Sequence, residues 1–112
     1  MKRNTTIMLI LIILIIGVIS VITYLKDNKL DEELAKCIAS KSQLYVKTGC
    51  AHCQQQEQIL GSYLSYFNVT DCLISTGICT DKMIEFIPAW IINNQKYYGV
   101  KTPKQLKALT GC

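Results

Sequence analysis

No basic cluster interleaved with aromatic residues occurs anywhere in the 112 residues, so a nucleic-acid interface has no support. The net charge of +4 comes from scattered lysines, and those at 96, 101, 104 and 107 read as solvated surface. Internal repeats and low-complexity segments are also lacking, which removes repeat architectures and compositionally biased tails. Near the N-terminus no small-x-small site follows the long apolar run, so that run does not read as a cleaved leader. Finally, there is a single Cys-x-x-Cys, Cys50 to Cys53. Cys72 follows after an 18-residue gap that suits the second half of a zinc site, but the gap from Cys72 to Cys79 is six residues rather than two. The knuckle spacing fails, and no metal is assigned.

What is present begins with Ile7 to Leu25, which apart from Met8 is an almost unbroken series of Ile, Leu and Val relieved only by Gly17, Ser20, Thr23 and Tyr24. As a helix it is roughly 28 Å long at about 1.5 Å per residue, close to a hydrocarbon core of about 30 Å. A stretch apolar on every face does not suit a soluble helix. It reads as an uncleaved signal anchor at residues 7–25, preceded by a cytoplasmic segment 1–6 and followed by a linker 26–30 and one domain, 31–112. Lys2 and Arg3 on one side are offset by Lys26 and Lys29 on the other, so charge does not fix the orientation. The cysteine content does. Six cysteines in a chain this short suit an oxidising compartment, which places the C-terminal domain on the extracytoplasmic side of a single-pass cell-membrane protein.

The chemistry concentrates in Lys47-Thr48-Gly49-Cys50-Ala51-His52-Cys53-Gln54, between an apolar strand-like run and a polar helix-like run. At the first turn of a helix, unpaired N–H groups and the helix dipole favour negative charge, so Cys50 is placed to ionise. The thiolate is the nucleophile, and His52 as a proton or hydrogen-bond donor would lower the Cys50 pKa further. A redox dithiol is the reading this context favours. Half of a metal site and a purely structural cystine are the two alternatives.

Periodicity orders the rest of the chain. Leu30, Leu34, Cys37 and Ile38 recur at helical spacing, and Gln43 to Lys47 reads as a buried strand. Cys53 to about Phe67 predicts a helix with Gln56, Ile59, Leu60, Tyr63 and Leu64 on one packed face and Gly61 as an interruption. Phe67 to Cys72 predicts a second strand, and Cys72 to Thr80 a loop. Asp81 to Phe86 predicts one or two helical turns capped by Thr80, with Met83, Ile84 and Phe86 inward. After Ile87-Pro88, the strands Ala89 to Ile92 and Lys96 to Tyr98 form a hairpin through Asn93-Asn94-Gln95, since asparagine tolerates the positive φ of tight turns. Thr102-Pro103 starts a last helix that Gly111 closes. Trp90, Tyr97, Tyr98 and Phe86 read as core, with one or two free to rim a peptide groove.

In this order the elements resemble a thioredoxin-like domain, an α/β fold with a central mixed sheet flanked by helices. More narrowly, Leu34-Ala35-Lys36-Cys37-Ile38, Cys50-Ala51-His52-Cys53, Asp71-Cys72, Cys79 and Ile87-Pro88-Ala89-Trp90-Ile91-Ile92-Asn93 resemble the thioredoxin-like domains fused to, or partnered with, vitamin K epoxide reductase homologues. The resemblance implies that Cys50 attacks, that Cys53 resolves, and that Pro88 is a cis-proline turning the Ile87 backbone toward an extended substrate. It implies no cofactor, protein thiol and disulfide substrates, and a quinone-linked membrane oxidase as recharging partner. The Cys-x-His-Cys pattern is similar to that of the periplasmic oxidase DsbA, which implies an oxidant. Gly49 stands where tryptophan is usual, Ala51 where proline is common and Ala89 where threonine is common. The strand Gln43 to Val46 also lacks the buried carboxylate of some thioredoxins.

The other four cysteines permit three pairings. Cys72 with Cys79 is favoured as a structural staple closing a short ring, with a relay of electrons as its alternative role. Cys37 and Cys112 are then left for each other, a weak pairing because the first and last helices of such a domain usually pack on opposite faces, with a free or intermolecular thiol as the alternative. A non-enzymatic tethered module, binding a metal or a partner with its cysteines locked, is the reading from another functional class.

Overall fold

A computed structural model describes residues 1–112. Its sheet has four strands in the order β2-β1-β3-β4. Strand β1 (Ser42–Val46) pairs in parallel with β2 (Asn68–Asp71), while β3 (Ala89–Ile92) lies antiparallel to β1 and to β4 (Gln95–Tyr98). A parallel pair requires a crossover, and the segment between β1 and β2 supplies it as a helix. The C-terminal ends of β1 and β2 therefore sit side by side. Two consecutive asparagines, Asn93 at φ 52° and Asn94 at φ 61°, make the tight β3–β4 hairpin, as their tolerance of positive φ predicts.

Alternation along the strands separates two unequal faces. Leu44, Val46, Trp90 and Ile92 point to the larger core, which is completed by Leu30, by Ala35 and Ile38 of α2 (Glu32–Ser40), Cys53 and Leu60 of α3 (Ala51–Leu60), Phe67, and Leu106 of α5 (Pro103–Thr110). Each fully buried large side chain there contributes about 1.5–3 kcal/mol. Tyr45 and Ala89 face the other way and meet Cys79 of the short α4 (Thr76–Asp81) in a much smaller cluster.

Local signals explain the helix ends. Asp31 caps α2 by accepting the Leu34 N–H at 2.8 Å. Gly61, at φ 56°, ends α3, and the chain continues as a 3-10 turn through Tyr66 rather than as one helix to Phe67. Thr102 and Gln105 form a capping box, Pro103 occupies the first turn of α5 and Gly111 closes it in the left-handed conformation.

Two expectations are corrected. The helix after β2 covers Thr76–Asp81, within the stretch read as a loop, and Met83 and Phe86 are 69% and 64% exposed rather than inward. The reason is the Cys72–Cys79 disulfide, which draws Cys79 against the sheet and so sets the inward face of that helix. Thr80 does not cap a later helix; its hydroxyl donates to the Thr76 carbonyl at 2.9 Å. Helices α2 and α5, expected on opposite faces, share the larger core, and Cys37 is bonded to Cys112 with their Cα atoms 6.1 Å apart.

Ahead of all this stands α1 (Lys2–Asp27), whose residues are all exposed. It is long and apolar enough to cross a membrane.

Candidate functional site

The end of β1 delivers the chain into a turn, Lys47 to Cys50, closed by the Cys50 N–H on the Lys47 carbonyl at 3.1 Å. Gly49 sits third in that turn at φ 88°, a backbone state that other residues resist. A bulky L-residue in its place would be strained. Cys50 then takes the N-cap of α3 in extended conformation, and its Sγ accepts the Cys53 N–H at 3.2 Å. A helix start thus directs one of its unpaired donors, the Cys53 N–H, at the first sulfur.

The pair is joined as a disulfide, with Cα atoms 5.2 Å apart, and the two cysteines differ in access. Cys53 belongs to the larger core and is 2% exposed, whereas Cys50 is only partly buried and leans on that core from the rim. Ile87 leans on the same core. The Ile87–Pro88 bond is cis, Pro88 is fully buried, and its carbonyl accepts the Gly99 N–H at 2.8 Å. Neither backbone group of Ile87 is hydrogen-bonded within the chain. His52 sits exposed on the first turn of α3, and no hydrogen bond joins its imidazole to either sulfur. Cys72 and Cys79 are bonded to each other beneath the smaller face, Cα atoms 5.7 Å apart.

Two features of this region have partners that periodicity does not supply, although it places the first of them, Gln56, on the packed face of its helix. Gln56, one turn past Cys53, is fully buried. Its Oε1 accepts both the Trp90 indole N–H at 3.1 Å and the Lys101 N–H at 2.7 Å, and its Nε2 donates to the Lys101 carbonyl at 3.0 Å. The amide ties α3, β3 and the entry to α5 together. A polar residue on an otherwise apolar helix face was the available signal. The second feature is Asp71 at the end of β2. It accepts the Thr48 N–H at 3.3 Å, the Thr48 hydroxyl and the Leu73 N–H at 2.8 Å. Those bonds, the Thr48 hydroxyl foremost, hold its carboxyl below the usual carboxylate range. Only the parallel pairing of Val46 with Asp71 brings it beside the turn.

No protein-family model matches the chain. Among solved structures it is similar to the NTD_N/C domain of alkylhydroperoxide reductase AhpF from Enterococcus faecalis, at 22% identity over 72% of this chain and 44% of that one, with a TM-score of 0.50. A variant of alkylhydroperoxide reductase AhpF from the same organism matches over the same shares at 22% identity and a TM-score of 0.51. The fold is thioredoxin-like. At this identity the likeness concerns the fold alone, and the chain spans 44% of the length of each of those two structures. Within the thioredoxin-like fold the dithiol occupies the β1–α3 junction and Pro88 the entry to β3.

Proposed function

We propose that this chain is a membrane-anchored, extracytoplasmic thiol–disulfide oxidoreductase that exchanges disulfides with protein substrates through Cys50 and Cys53, acting as an oxidant. The unequal access of the two sulfurs carries this reading. An incoming substrate thiolate reaches Cys50, at the rim, and not Cys53, in the core.

In the first step the substrate thiolate attacks Cys50 Sγ, the Cys50–Cys53 bond breaks, and Cys53 leaves as a thiolate that takes up a proton. A second substrate thiolate then attacks the substrate sulfur of the mixed disulfide, and Cys50 leaves. The substrate gains a disulfide, and two electrons remain on the protein as the dithiol. The helix N-terminus stabilises the departing Cys50 thiolate, which favours the reduced protein and so makes the disulfide oxidising. The unpaired backbone of Ile87 is available to an extended substrate segment as a short added strand. Helix α1 holds the domain at the membrane, where a quinone-linked oxidase of the vitamin K epoxide reductase type would restore the disulfide.

Replacing Cys53 with Ala tests the scheme. The variant should accumulate mixed disulfides through Cys50 in oxidising cells, and their absence overturns it. Titration of accessible thiols after mild reduction adds a second check. One readily reduced pair supports the oxidoreductase, and uniform resistance supports a tethered module with its cysteines locked.

A further inference from the structure

We infer that Asp71 is a positioning residue for the dithiol, whose carboxylate, fixed beside the Lys47–Cys50 turn, biases the pair toward the disulfide. This rests on the oxidoreductase reading above. Three observations converge on it.

The carboxylate cannot wander. Thr48, second in the turn that aims Cys50, gives it both its N–H and its hydroxyl, and the Leu73 N–H fixes it from its own strand end. The ladder also runs past Asp71, since the Cys72 N–H donates to the Val46 carbonyl at 2.8 Å. The β2 end is thereby locked to the base of the redox loop. Finally, Asp71 and Cys53 line one cavity of about 170 Å³, with Val46, Lys47, Glu57 and Gln54 among its other walls.

The disulfide is neutral, and the reduced pair carries a thiolate, so a fixed negative charge raises the free energy of the reduced form alone. Lys47 opposes this and Glu57 adds to it across the same cavity, while His52 lies on the exposed first turn of α3. Of these, Asp71 is the one held by hydrogen bonds to the redox turn itself. A unit charge across a cavity of this size alters the equilibrium by about three- to tenfold at an effective dielectric between that of protein and water.

The test uses the full chain in detergent, equilibrated with reduced and oxidised glutathione. Two glutathione thiols reduce the protein disulfide and emerge as one glutathione disulfide, so the ratio reads the equilibrium directly. Asp71→Asn should shift it toward the dithiol by about three- to tenfold, or about 15–30 mV, and should lower the pH at which thiolate absorbance appears. Thr48→Val keeps the charge while removing one anchor and should stay within about twofold of the parent. A merely structural Asp71 would make the two variants move together, and that result overturns the inference. So does an unshifted Asp71→Asn. If Asp71→Asn fails to fold, Asp71→Ser replaces it, because serine still offers an oxygen to the Leu73 N–H. A parent chain that does not exchange with glutathione at all refutes the oxidoreductase reading itself, whereas normal exchange with no Asp71 effect refutes this inference alone.

Discussion

Gln56 accepts the indole N–H of Trp90 at 3.1 Å between two side chains that are both 0% exposed. The same oxygen takes the Lys101 N–H, so one amide replaces water for two buried donors. Such a network stabilises only while it is complete, because each orphaned buried donor costs about 1–3 kcal/mol. Gln56→Leu keeps the apolar volume and deprives both donors of their acceptor. The variant should lose about 2–5 kcal/mol in urea unfolding followed by fluorescence of the single tryptophan. A loss under 1 kcal/mol would mean that water reaches the site.

The two disulfides away from the dithiol should differ in worth. Cys37 and Cys112 are separated by 75 residues, Cys72 and Cys79 by 7. If the cross-links act mainly on the unfolded chain, the long loop contributes about 4 kcal/mol and the short one about 2. Thermal unfolding of Cys37→Ser/Cys112→Ser and Cys72→Ser/Cys79→Ser variants should rank them in that order. The reverse ranking would show that Cys72–Cys79 acts in the native state, holding α4 on a face with little other cover.

Gly49 is needed for its backbone and not for space. A Cβ there would meet nothing within 4 Å, yet φ stands at 88°. Gly49→Ala should therefore cost about 1–2 kcal/mol with no repacking of neighbours. Gly49→Asn should cost less, since asparagine enters positive φ more readily. Exchange with glutathione should slow in the same order, as the turn that aims Cys50 relaxes.

Acid should weaken the fold through two carboxylates. Asp71 is held below the usual range by the Thr48 hydroxyl and the Leu73 N–H, and Glu32 by Lys36, whose ammonium lies 2.7 Å away, and by the Tyr66 hydroxyl at 2.9 Å. Both are more acidic folded than unfolded, so folding favours their ionised forms. That stabilisation is complete above the ordinary carboxylate pKa of about 4 and fades as the pH falls through the lower folded values. Thermal midpoints should be level near neutrality and drop below pH 4. Glu32→Gln and Thr48→Val should each flatten the drop, and an unchanged slope in both would assign it to other groups.

Much of this molecule is written locally. Gly111 after Leu109, Thr102 before Pro103, two asparagines between apolar runs and the nearly continuous apolar run from Ile7 to Leu25 each act through neighbours in sequence, so caps, hairpin and apolar helix are legible in order. The Cys-x-x-Cys at a strand-to-helix junction belongs with them, because a helix N-terminus forms wherever the helix begins. Local pattern failed where a covalent bond or the packing of distant segments chose the outcome. The Cys72–Cys79 link decided which residues of the α4 region face inward, and so left Met83 and Phe86 in solvent. The side of the sheet taken by α2 and α5 decided that Cys37 could meet Cys112, a matter of handedness and packing that no window of sequence contains. Likewise, Asp71 is an ordinary strand-end acid until parallel pairing sets it against the turn of Thr48, 23 residues away in the chain. Propensity fixes what each segment becomes; which segments touch is settled only when the whole chain buries its apolar surface at once.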